Sequence, residues 1–154
     1  LRKYTNEETH KKLSSKMNYW LMKSEPETWS WEQQVKAGSK GEGWDGVRNY
    51  QASNNMKKME IGDLCFFYHS VKERDIVGIV KVVEKYHPDP TDKSKRFGMV
   101  SVAAVKTLKN KVNLSQIKEH PKLNHLALVK QSRLSVMPID KKSWTIICNL
   151  GGIK

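Results

Sequence analysis

The chain has 154 residues, 28 of them Lys or Arg against 16 Asp or Glu, for a formal net charge of +12, and 38% of it is hydrophobic. That length and apolar content suit one domain with its own core, which excludes extensive disorder and any dependence on metal or disulfide staples. The longest apolar runs, Leu64 to Tyr68 and Ile76 to Val80, fall far short of the roughly 18 residues of a membrane helix, so no membrane partner is expected.

Residues 1–16 hold five Lys or Arg and two acids with almost no apolar periodicity, and they read as a disordered basic extension ahead of a domain over residues 17–154. Tyr19 to Lys23 reads as a buried strand that ends at Ser24-Glu25-Pro26. Ser30 followed by Gln33 predicts a capping box and a short helix stopped by Gly38. The glycine-punctuated segment Gly38 to Gly43 reads as a loop, and Asn49 as the cap of a helix to about Met59, with Met56 and Met59 facing inward.

Leu64 to His69 is apolar on both faces, as in a central strand. It pairs most simply as a hairpin with Asp75 to Val83, where Gly78 marks a bulge or a close backbone approach. A proline-containing loop follows, then a strand from Met99 to Leu108. Short helices are expected at Leu114 to Glu119 and Leu123 to Val129, a strand at Leu134 to Ile139, and a last helix capped by Asp140 and stopped by Gly151. Four or five strands with short helices between them define an α+β domain on a curved sheet or small barrel. Regular βαβ alternation and a phosphate-binding glycine loop are both missing.

The net charge has three explanations: phosphates, whose neutralisation releases counterions, anionic lipid, or a diffuse solvated surface. Cys65 and Cys148 lie in separate apolar runs and read as buried free thiols of a reducing intracellular compartment. No CxxC pair or Cys/His cluster supports a metal site, no cofactor is expected, and no apolar leader is expected. Trp44 to Gln51 packs an indole, a carboxylate, an arginine, an amide and a phenol into eight residues. Such types suit a pocket for a flat hydrogen-bonding ring, and they also suit a core anchor followed by a turn and a solvated cation. Tyr68, His69 and Ser70 end the central strand, where side chains often emerge into a cleft; His69 and Cys65 share a face, but the thiol lies deeper and makes a poor nucleophile pair. No pair of acids is placed for hydrolysis, so the residues offer recognition more than reaction chemistry.

Four segments, Tyr19-Trp20-Leu21-Met22-Lys23-Ser24-Glu25-Pro26, Trp44-Asp45-Gly46-Val47-Arg48-Asn49-Tyr50-Gln51-Ala52, Gly62-Asp63 with Phe66-Phe67-Tyr68-His69-Ser70, and Arg133-Leu134-Ser135-Val136, closely resemble the EVE domain family. The resemblance implies a PUA-like fold, a small mixed β-barrel with peripheral short helices, related to YTH domains. It also implies a non-catalytic reader of a modified base, most often modified cytosine in DNA, with RNA also a partner. The family's pocket segments fall on Trp20, Lys23, Ser24, Trp44, Asp45, Val47, Arg48, Asn49, Tyr68, His69 and Ser70. On that reading Trp20 and Trp44 stack on the base, Asn49, Ser24 and Asp45 read its edge, and Lys23, Arg48 and Arg133 hold flanking phosphates. Ser53, His87 and Phe97 stand where relatives commonly carry Arg, Tyr and Trp. The alternative is an enzyme or sensor for a small nucleobase-like ligand, with His69 as acid or base. The expected location is cytoplasmic, nucleoid-associated in a bacterium, or nuclear in a eukaryote.

Overall fold

The structure, a computed structural model, describes residues 17–153; the basic extension expected over residues 1–16 lies outside the described residues. In chain order the elements are β1 (Tyr19–Ser24), α1 (Trp31–Lys36), a 3-10 turn (Gly38–Lys40), β2 (Glu42–Gly43), α2 (Tyr50–Lys57) and β3 (Leu64–His69). There follow β4 (Asp75–Pro88), β5 (Gly98–Asn113), α3 (Leu114–Glu119), α4 (Ala127–Lys130), β6 (Val136–Ile139) and α5 (Lys141–Leu150). The strands make one six-stranded sheet in the order β2-β5-β4-β3-β1-β6. β1 runs parallel to β3, and the other neighbours are antiparallel.

This is the expected mixed α+β plan. The edge strands β2 and β6 do not pair with each other, so the sheet is open and the closed barrel is not among its pairings. β2 has only two residues, and β6 carries Pro138, which has no N–H to offer a further strand.

β3 is central because alternate side chains serve two layers. Phe66 stacks on Trp144 of α5 with ring centres 3.9 Å apart, and Trp144 stacks in turn on Tyr19 at 4.6 Å. On the other face Phe67 meets Trp31 of α1 at 5.2 Å and Trp44 at 5.4 Å, both edge to face. Gly78, on β4 opposite Phe67, makes the close approach expected of it, since a Cβ there would lie 2.3 Å from the Trp31 ring. The β4–β5 register slips between Ile76 and Gly78, so the same point carries a bulge.

The capping box at Ser30 forms in full, with Ser30 accepting from the Gln33 N–H and Gln33 reaching back to the Ser30 N–H. Asn49 caps α2 through the Ala52 N–H at 2.9 Å, and Met56 and Met59 are fully buried although α2 stops at Lys57. β4 and β5 run well past the expected Val83 and Leu108, because their ladder continues where the apolar pattern gives way to exposed polar residues. Conversely α4 is shorter than expected: Leu123 and Leu126 reach the core from turns ahead of it, at a spacing that resembles a helix. The expected glycine loop contains β2. Gly41, at φ +77°, leaves no room for a side chain against the Val102 carbonyl, and Gly43 lies against Met99, so the backbone presses onto β5.

Candidate nucleic-acid interface

A cleft of about 600 Å³ opens between the end of β1 with the turn after it and β2 with the segment after it. Lys23, Ser24, Glu25, Thr28 and Trp29 form one wall. The other is formed by Glu42, Gly43, Trp44, Asp45 and Gly46. The first wall closes on itself, with the Trp29 N–H donating to the Glu25 carbonyl at 2.9 Å and the Ser24 hydroxyl donating to the Trp29 carbonyl. Gln34, fully buried, then fixes the indole: its Oε1 accepts from Trp29 Nε1 at 2.9 Å, and its Nε2 donates to the Val102 carbonyl at 3.0 Å. On the second wall the Trp44 N–H donates to the Val100 carbonyl at 2.8 Å, and its ring is wedged against Phe67.

Asp89 sets the shape of the loop after Trp44. Its Oδ2 accepts from the Gly46 N–H and from Arg48 Nη1, both at 2.9 Å, and its Oδ1 accepts from the Thr91 N–H and hydroxyl. Burial alone would raise the Asp89 pKa, but bonds from Thr91, Gly46 and Arg48 outweigh it and hold the carboxyl at about 2. Glu25, Glu42 and Asp45 are exposed around the cleft and make no ion pair among the described residues. The one cation of the lining is Lys23, whose Nζ donates to the Ser132 carbonyl at 2.9 Å. Burial holds its pKa below the ordinary lysine value. The cleft therefore pairs two indoles with carboxylate acceptors, a set that suits a flat ring bearing N–H donors.

Lys23 also lines a second groove of about 500 Å³, together with Tyr68, Ser70, Arg74, Lys118 and Arg133. Glu25 lines both, but four cations outnumber it in this groove. Burial, with a smaller push from Asp75 against a pull from Arg74, raises the Tyr68 phenol to about 12, so it stays a neutral donor under the Lys23 ammonium, which lies 5.8 Å from its ring. Asn49 and Arg133 share a third, shallower recess of about 300 Å³.

Of the residues singled out in the sequence, Lys23, Ser24, Trp44 and Asp45 meet in the first cleft, and Tyr68, Ser70 and Arg133 join Lys23 in the second. Five others are placed elsewhere, Asn49 among them as the cap of α2 beside the third recess. Trp20 is buried, with Nε1 donating to Asp63 Oδ2 at 3.0 Å, and does not line the cleft. Val47 is a core residue. Arg48 is committed to Asp89 and Thr91 rather than held free for a phosphate. His69 is buried; its Nε2 accepts the Trp31 N–H at 3.1 Å, so Nδ1 carries the proton and donates to Glu73 Oε2 at 2.8 Å. That bond lowers the Glu73 pKa, and it leaves His69 positioning the start of α1. Sequence reasoning missed Trp29, Gln34 and Asp89. Trp29 follows Ser24-Glu25-Pro26 within three residues, a proximity that could have flagged it. A buried Gln or Asp gives no pattern until its partners are known.

An open mixed sheet carries an indole-lined acceptor cleft beside a cationic groove, a pairing that suits an aromatic, nitrogen-rich ligand on a polyanion. The EVE domain model matches residues 18–150, and the chain belongs to the EVE domain family. Thymocyte nuclear protein 1 from Gallus gallus is 35% identical, with 88% of this chain and 70% of that protein aligned. A solved Agrobacterium tumefaciens protein superposes with a TM-score of 0.87 at 47% identity, covering 88% of this chain and 94% of that one. Human thymocyte nuclear protein 1, solved in complex with 5-methylcytosine-containing DNA, is similar at 30% identity with a TM-score of 0.81, over 89% and 99% of the two chains. A YTH domain from Zygosaccharomyces rouxii, at 16% identity and a TM-score of 0.54 over 90% and 87%, shares the fold.

Proposed function

We propose that this chain is a non-catalytic reader of a modified nucleobase, with 5-methylcytosine in DNA as its first ligand and modified RNA as the other nucleic acid to test. The observation that carries this reading is the likeness, across 89% of the chain, to a human protein solved with 5-methylcytosine-containing DNA. The cleft supports it physically. A base extruded from its stack costs a few kcal/mol, which stacking on Trp29 or Trp44 and edge hydrogen bonds must offset. Cytosine offers an N4 amine that a carboxylate such as Asp45 can accept, whereas thymine offers a carbonyl that it repels. In this assignment Ser24 and the Gly46 loop shape the pocket, while Lys23, Arg133, Arg74 and Lys118 take the flanking phosphates. Trp20, Val47, Arg48, Asn49 and His69 serve the scaffold.

The same geometry argues for binding without turnover. Both ring nitrogens of His69 are engaged within the fold, and burial with the nearby Asp63 charge raises the Cys65 thiol far from the nucleophilic thiolate. The small-barrel description belongs to this reading too, as the curl that bulges in β4 and β5 give an open sheet. No helix among the described residues is long and apolar enough to cross a membrane, and a nuclear or nucleoid location follows from the proposed ligand.

The test is a fluorescence titration of the full chain with matched oligonucleotides carrying cytosine, 5-methylcytosine, 5-hydroxymethylcytosine, adenine or N6-methyladenine, at low and moderate salt. Preference for one modified base that persists on adding salt, and that Trp44→Ala abolishes, is the expected result. Equal binding of all the oligonucleotides, or an unchanged preference in Trp44→Ala, overturns the assignment.

A further inference from the structure

A second aromatic and cationic surface lies next to the cleft and is not used by the base-reading site. Tyr50, the first residue of α2, is 61% exposed and rests on Phe97 with ring centres 4.9 Å apart. Phe97 belongs to a recess of about 710 Å³ lined also by Lys57, Tyr86, Lys93, Lys95 and Arg96. None of these four cations has a carboxylate partner among the described residues. The two acids of the recess are already occupied. Asp89 holds Gly46, Arg48 and Thr91, while Asp92 accepts from the Ser94 N–H and hydroxyl and from the Phe97 N–H. The loop is thus prearranged, with Lys95 held at φ +61°, and it presents charge at little further ordering cost.

We infer that the Tyr50–Phe97 face and the Lys93–Arg96 loop form a second contact for nucleic acid, on which an unpaired base next to the one being read stacks while its phosphates meet the loop. The inference rests on the base-reading assignment for its ligand but not for its chemistry. An exposed aromatic face flanked by free cations is the arrangement by which single strands are held without regard to sequence. The two sites are joined by one short segment: Asp45 lines the cleft and Tyr50 carries the platform, so they are at most about 18 Å apart along the chain. Asp89 braces that segment from within at Gly46 and Arg48. A strand with one base in the cleft reaches the platform within a few nucleotides. The required ligand is therefore single-stranded, or locally melted, beside the modified base.

The test uses the full chain, as wild type, Tyr50→Ala, and the triple variant Lys93→Gln, Lys95→Gln, Arg96→Gln. Each is titrated with 5-methyl-2′-deoxycytidine monophosphate and with a longer single strand carrying one 5-methylcytosine. On the longer strand Tyr50→Ala is expected to weaken binding by roughly tenfold. The triple variant is expected to flatten the salt slope by about two, the share of three phosphates on a single strand. Affinity for the mononucleotide, which has no neighbouring base, and the ratio of modified to unmodified affinity should not change. Wild-type affinity and salt slope in both variants on the longer strand overturn the second contact, even where the base preference stands. Loss of affinity in the variants with no base preference in the wild type keeps the second contact and discards the base reader. Displacement of the longer strand by poly-glutamate as readily as by oligodeoxythymidine reassigns the surface to acidic proteins. All residues changed are exposed, and unchanged thermal unfolding confirms that the variants fold.

Discussion

Asp89 and Gln34 do most to hold the cleft, and neither touches its ligand space directly. Asp89 has no exposed side-chain surface and supports the Gly46 loop through charge-assisted bonds. Asp89→Asn should therefore cost about 1–3 kcal/mol in chemical denaturation and loosen base binding along with it. Its pH dependence has a definite sign: the carboxyl titrates at about 2 in the fold against an ordinary 3.8, so the fold favours the charged form. That stability is present above the ordinary value and is lost as pH falls from 3.8 towards 2. An acid titration of stability should show this limb, reduced in Asp89→Asn and with a residue from Asp140, whose carboxyl is likewise held at about 2, where bonds from His125 and Ser143 outweigh burial. Gln34→Leu removes both bonds that fix Trp29, and base affinity should drop by roughly tenfold while the fold persists. Trp20→Phe is the contrasting case. It removes one of three N–H donors to the buried Asp63 carboxylate, leaving those of Asn18 and Glu60, and should destabilise by about 1–3 kcal/mol, with the base preference intact in the same titration.

Secondary structure was legible wherever side-chain chemistry acts locally. Ser30, Asn49 and Asp140 each announce a helix start because the capping oxygen and its N–H partner lie three residues apart. The apolar run at β3 marked the sheet centre for the same reason, since both faces are covered by tryptophans. What escaped depends on distant partners. β2 depends on Gly41 and Gly43, which allow the backbone onto β5, and the Trp29 indole is fixed by Gln34, itself tied to the distant Val102 carbonyl. Trp20 and Trp44 look equivalent as residue types, yet one is claimed by Asp63 and the other by the cleft wall. At this scale Gly78→Ala is the sharpest test of packing. The added methyl would meet the Trp31 ring, whose Nε1 donates to the Thr107 hydroxyl while the backbone N–H of the same residue donates to His69. A loss of about 1–3 kcal/mol in unfolding free energy is expected, with the emission of the tryptophans shifted.

Among the described residues the charge is unevenly placed: three carboxylates and one lysine line the cleft, four cations and Glu25 line the groove, and four cations line the recess beside two acids that are already hydrogen-bonded. Total affinity should therefore fall steeply with salt while the preference for the modified base stays level, because only the phosphate contacts release counterions. Strand order adds a consequence of a different kind. β1 contributes Lys23 and Ser24 to the cleft, yet Tyr19 must find Leu64 on one side and Ile139 on the other, and the Lys23 N–H is held by the Ser135 carbonyl. During synthesis β1 leaves the ribosome long before β6 exists. A nascent chain halted ahead of Val136 has the β6 flank of β1 bare. A copy stopped ahead of Val136 should therefore bind the proposed ligand more weakly than one carried past Ile139, because the strand that supplies Lys23 and Ser24 lacks its neighbour.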